Sequence, residues 1–129
     1  MEAKSTIGFA KTERICLKKE IDRLFEVGTT LKEYPLRVIY LPEKPQSGAT
    51  VAVLISVPKK RFKRAVKRNR IKRLIRETYR LHKHSLIDAL SSRDSGMLLA
   101  FLYMSDRICS FAEMKIAMQN LLNKLANQL

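Results

Sequence analysis

The sequence predicts an α+β protein, an α-β sandwich of order α-β-β-α-β-α. Three observations predict it. Apolar residues recur at helical spacing in three segments, around 17–28, 64–82 and 110–125. Three short β-rich runs, "PLRVIYLP", "TVAVLISV" and "MLLAFLYM", stand between them. The chain has 129 residues, 46% of them hydrophobic, with four Gly and four Pro, which suits one domain with a modest core and is too apolar for a disordered chain. A flexible N-terminal arm is expected over 1–12, followed by a single domain over 13–129.

In "LKKEIDRLFEVG", Leu17, Ile21, Leu24 and Phe25 share one helical face, and Gly28 is placed to end the helix in a left-handed turn. "PLRVIYLP" is a strand bracketed by Pro35 and Pro42. "EKPQSG" is a turn-rich loop, and "TVAVLISV" is a second strand, apolar enough to be buried. Pro58 stops it, and "KKRFKR" follows as a basic loop. The long helix runs from about Arg64 to about His82. At 100° per residue, Leu74, Ile75, Thr78 and Tyr79 gather around Ile71, while Asn69, Lys72, Arg73, Arg76 and Arg80 take the opposite side. "SSRDSG" is a loop and "MLLAFLYM" a third strand. Ser110 and Glu113 form a capping box that opens the last helix. Its stripe is Phe111, Met114, Met118, Leu121, Leu122 and Leu125.

Charge is the outlier, at +14 overall with 26 Lys and Arg. Twelve of these cations and a single acid, Glu77, fall between Lys59 and Arg80, so +11 of the total is local. This clustering works against the helix that carries it. Lys63, Arg64, Lys67 and Arg68 crowd the first turns, where the macrodipole disfavours cations by about 0.3–1 kcal/mol each. Arg68, Lys72, Arg76 and Arg80 repel along an i,i+4 ladder, at about 0.2–0.5 kcal/mol per pair. A polyanion would neutralise both terms, and phosphate contacts would make its binding steeply salt-dependent. Nucleic acid is the expected partner, with an anionic membrane surface or an acidic protein as alternatives. A strand, rather than a second short helix, precedes the basic helix, which favours RNA over a two-helix DNA reader. Aromatic residues beside the basic loop, among them Phe25, Tyr40 and Phe62, could stack on unpaired bases.

Other classes find little support. Cys16 and Cys109 are isolated, outside any CxxC or Cys/His pattern, and are expected as reduced thiols. His82 and His84 point about 200° apart on a helix, which disfavours a shared metal ion. No Ser/His/Asp set, Gly-rich phosphate loop or carboxylate cluster stands out. The start "MEAKSTIGFAK" lacks the apolar core of a signal peptide, and "MLLAFLYM" is too short to span a bilayer. A cytoplasmic protein is expected.

"AVKRNRIKRLIRETYR", Ala65–Arg80, closely resembles the signature of the bacterial ribonuclease P protein subunit, a family marked by Arg-Asn-Arg in its long helix. "LKKEIDRLFEVGTT", "VIY" and "ISVPKK" are similar to that family's first helix, first strand and strand-to-loop junction, so the resemblance covers about Arg14 to Leu125. It implies a left-handed β-α-β crossover. It also implies that this chain is one subunit of an endoribonuclease and holds no catalytic residues of its own. In such a holoenzyme a catalytic RNA subunit with bound Mg²⁺ removes the 5′ leader of precursor tRNA, and no protein partner is required. Residue by residue, the resemblance assigns Arg68, Asn69, Arg70, Lys72, Arg73 and Arg76 to the catalytic RNA. It assigns Arg14, Phe25, Tyr40, Lys59 and Lys60 to the leader cleft. Ile21 stands where the family usually has an aromatic, Pro58 where it often has Ser, and "RFKR" replaces a shorter glycine-containing loop. Phe62 in that loop is expected to offer the leader the aromatic ring that Ile21 does not. A ribosomal or other structural RNA-binding protein is the alternative reading, and a protein nuclease a third.

Overall fold

The computed structural model describes residues 13–15 and 17–128. The arm expected over 1–12, and Cys16, lie outside the described residues. Helix α1 spans Lys18–Val27, and strands β1 (Thr29–Glu33) and β2 (Leu36–Leu41) follow as a hairpin. Strand β3 is Val51–Ser56, helices α2 and α3 are Ala65–His82 and His84–Ser92, strand β4 is Met97–Tyr103 and helix α4 is Phe111–Asn127. The sheet order is β1-β2-β4-β3, antiparallel at the first two junctions and parallel between β4 and β3. The connection β3-α2-α3-β4 is therefore a parallel crossover. At the β3 edge, Arg14 bridges Val53 and the Ile15 amide donates to the Val53 carbonyl at 3.1 Å.

The α+β class holds, with one strand and one helix added to the expected order. β1 escapes the sequence pattern because "TTLKE" is an exposed edge strand with only Leu31 turned to the core. α3 follows α2 after Lys83 alone, anchored by the buried Leu86 and Leu90, four apart, with Ile87 half-buried beside them. Ser91 and Ser92, expected in a loop, complete its last turn.

Both faces of the sheet are covered. The larger core joins Val38, Val53, Leu99 and Phe101 to Ile71, Ile75 and Tyr79 of α2, Leu86 and Leu90 of α3, and Met114, Met118 and Leu121 of α4. The smaller one lies on the opposite face, where Leu24 of α1 and Ile15 meet Ile39, Leu41, Ala52, Leu98 and Ala100. Gly28 fits this packing, though not through a left-handed turn. Its φ of −72° and ψ of 159° are extended. A Cβ there would lie 2.4 Å from the Leu24 carbonyl oxygen and 2.6 Å from Ile39 Cγ2, so glycine is required by close approach.

The capping box forms: the Glu113 amide donates to Ser110 Oγ at 3.1 Å, and the Ser110 amide donates to the Glu113 carboxylate at 2.9 Å. The latter bond holds the Glu113 carboxyl below its usual range. Tyr103 ties β4 to α4, donating to the Arg107 carbonyl at 2.5 Å and accepting from the Cys109 amide at 3.0 Å. Cys109 is a buried free thiol, and burial pushes its pKa up. No helix among the described residues is long and apolar enough to cross a membrane.

Candidate nucleic-acid interface

On α2 the buried positions are Ile71, Ile75, Thr78 and Tyr79, as the 100° spacing predicts. The cations divide around that stripe. Arg68, Lys72 and Arg76 occupy the flank toward β3, Asn69 and Arg73 point outward, and Arg70 falls on the other flank. Lys72 and Arg76 meet Arg14 across a cavity of about 230 Å³ whose walls include Ile15, Val53, Leu54 and Ile55. Three like charges share one concave site at the sheet edge, an arrangement that concentrates positive potential where a phosphate can enter. Residues expected at the catalytic RNA, Lys72 and Arg76, thus adjoin one expected at the leader, Arg14.

Arg68 does more than contribute charge. Its Nη1 donates to the carbonyls of Phe62 and Lys63, both at 2.8 Å. The amides of Arg61 and Phe62 turn back onto the Pro58 carbonyl at 3.2 and 3.3 Å, and Arg61 pairs with Asp106. The loop is therefore fastened to both α2 and the β4–α4 connection, leaving Lys59 and Lys60 exposed at its turn.

The aromatic residues expected at the leader have different surroundings. Phe62 is only 6% exposed and packs on Tyr103, with ring centroids 6.0 Å apart, so its ring belongs to the core and is not offered to a base. Phe62→Leu should lower stability by about 1 kcal/mol and leave leader affinity unchanged, as measured by urea unfolding and precursor binding. Tyr40 packs with the larger core, on the face opposite α1, because it shares the strand parity of Val38. Phe25 and Tyr40 are therefore on different sides of the sheet. Phe25, expected in the apolar stripe of α1, is 47% exposed, whereas Ile21 is half-buried against the smaller core.

The α1 face of the sheet is graded from closed to open. Its strand registers align three rows: Leu41, Leu98 and Ala52; then Thr30, Ile39, Ala100 and Leu54; then Lys32, Arg37, Leu102 and Ser56. α1 and Ile15 bury the first row. The last stays open and runs about 14 Å across the sheet, at roughly 4.8 Å per strand. It ends at Ser56, four residues before Lys60. Lys32 and Arg37 were missed by sequence reasoning. Parity holds the signal, since Arg37 shares a face with Ile39, but which face meets α1 depends on the pairing. Among the described residues no group of three or more His, Cys, Asp or Glu could hold a metal ion.

The family model described as Ribonuclease P matches residues 9–126. The ribonuclease P protein component of Porphyromonas gingivalis is 44% identical over 126 residues, covering 98% of this chain and 92% of that one. The chain belongs to the bacterial ribonuclease P protein family. Another ribonuclease P protein component, from Chlorobaculum tepidum, is 42% identical over 122 residues, covering 87% and 79% of the two chains. Solved ribonuclease P proteins from Thermotoga maritima and Staphylococcus aureus share the fold. They give TM-scores of 0.68 and 0.67, each at 20% identity over 87% of this chain, and over 96% and 94% of theirs. The ribonuclease P family thus accounts for the RNR helix, the basic loop and the mixed sheet together.

Proposed function

We propose that this chain serves ribonuclease P by binding its catalytic RNA along α2 and holding the precursor-tRNA 5′ leader on the α1 face of the sheet. Arg70 and Arg73, with Asn69, address the RNA subunit from the exposed sides of the helix. Arg68 sets the loop that presents Lys59 and Lys60, and Lys72, Arg76 and Arg14 carry positive potential from the helix to the sheet edge. The leader lies over the open row, with Phe25 at its α1 wall and the half-buried Ile21 behind. The single observation that carries this reading is the cavity shared by Arg14, Lys72 and Arg76, which joins the two binding surfaces.

The chemistry belongs to the RNA. Mg²⁺ is assigned to the RNA subunit, and this chain's contribution is to offset repulsion between two polyanions. It acts in the cytoplasm. Reconstitution with the cognate RNA subunit tests the reading. Adding the protein should lower the Mg²⁺ needed for precursor cleavage and tighten binding of precursor over leaderless tRNA. Equal cleavage with and without protein at low salt and low Mg²⁺ would overturn the assignment.

A further inference from the structure

The open row holds a group that RNA-subunit docking does not use. Arg37 is half-buried on the α1 face, and its Nε is buried without a hydrogen-bond partner. With the Nε shielded, the Nη–H donors are the part of the guanidinium that a ligand on this face can meet. The acid nearest in sequence, Glu33, cannot do so. It pairs in register with Leu36 and so faces the other side of the sheet, where Lys124 Nζ and Asn120 Nδ2 hold it at 2.8 and 3.2 Å. On its own face Arg37 has Lys32 beside it on β1, Leu102 beside it on β4, and Ile39 two residues along β2.

We propose that Arg37 reads a guanine in the single-stranded leader, its two Nη–H groups donating to O6 and N7. The inference rests on the reading that this face holds the leader. A floor position favours a base over a phosphate. Leu102 and Ile39 offer apolar contact to a base plane, whereas the exposed cations Lys32, Lys59 and Lys60 at the rims are placed for the backbone. Single-stranded RNA is read in this way on sheet surfaces, with bases lying flat and their edges hydrogen-bonded. Among the bases, guanine sets two acceptors side by side to match the guanidinium fork, while adenine offers an acceptor next to a donor.

The test uses the reconstituted holoenzyme and precursor tRNAs in which each leader position carries guanine, 7-deazaguanine, adenine or uracil in turn. At one position guanine should bind about ten-fold or more tighter than adenine, and 7-deazaguanine, which lacks the N7 acceptor, should lose most of that gain. Arg37→Lys keeps the charge but not the fork, so it should abolish the discrimination while the salt dependence stays. Arg37→Gln should abolish discrimination as well, with melting curves checking that both variants fold. A wild-type holoenzyme with no guanine preference at any position would overturn the proposal, and this arm needs no variant. So would a preference that survives Arg37→Lys, or an Arg37→Gln effect equal for every leader with discrimination intact, which would assign Arg37 to a phosphate. The parent reading fails separately, if wild-type holoenzyme binds leaderless tRNA as tightly as precursor.

Discussion

Replacing Arg70, Lys72, Arg73 and Arg76 together by alanine is expected to weaken binding to the RNA subunit by on the order of a thousand-fold near physiological salt. The figure takes roughly 1 kcal/mol per phosphate contact. The slope of log affinity against log salt should fall by about 3–4, because each contact releases nearly one counterion. Folding should survive. None of the four lies in the buried stripe of Ile71, Ile75, Thr78 and Tyr79. Their removal also relieves the Lys72–Arg76–Arg80 ladder, at about 0.2–0.5 kcal/mol per pair, and alanine is the better helix former. The combination of weakened binding with an unchanged or slightly raised melting temperature separates an interface from a structural role. Filter binding across a salt series and a thermal melt measure the two halves, and a large drop in melting temperature would contradict this account.

The largest stability effect is expected at Lys83. This residue, at the α2–α3 junction, is 1% exposed, and its Nζ donates to both Glu13 carboxylate oxygens at 2.8 and 3.1 Å. Lys83→Met leaves a buried carboxylate without that cation and should cost about 3–5 kcal/mol. Adding Glu13→Gln should recover much of the deficit, since the expensive species is the buried carboxylate that has lost this cation. Urea unfolding of the two single variants and the double variant measures the coupling directly. The pair also has a functional reach. It fixes the segment that carries Arg14, which must sit beside Lys72 and Arg76 despite like charge. Lys83→Met should therefore weaken precursor binding although Lys83 itself is buried away from RNA. Glu13→Gln alone is expected to be milder, because a neutral amide remains to accept the lysine.

Much of this molecule is legible in its residues, and the illegible parts share a physical cause. The α2 stripe follows from helical angles, and the Ser110–Glu113 box from two side chains three apart, because helix signals are local. Strands are different. β2 alternates Leu36, Val38 and Tyr40 against Arg37, Ile39 and Leu41, with apolar residues in both sets, so its own pattern does not say which set faces α1. That choice is made by pairing with β4, some sixty residues later, and it puts Tyr40 on the face opposite α1 and Arg37 on the α1 face. Phe62 is hidden for a related reason. Its neighbours Lys60, Arg61, Lys63 and Arg64 suggest an exposed loop, yet Tyr103 and the Arg68 hydrogen bonds draw the ring inward. Gly28 is legible as a helix stop, but its requirement comes from Ile39 across the sheet rather than from the turn itself.

The insertion of β4 between β2 and β3 gives the chain a timetable. During synthesis the hairpin, β3 and the basic helix all emerge before the strand that joins them, and β2 and β3 share no direct ladder. A nascent chain ending before Met97 would display the RNR helix without the strand that completes the sheet. It would cling to RNA through charge while lacking the row of Lys32, Arg37, Leu102 and Ser56. On the proposed reading, adhesion is encoded early and discrimination late, and the two come into one body only when the last quarter of the polypeptide arrives.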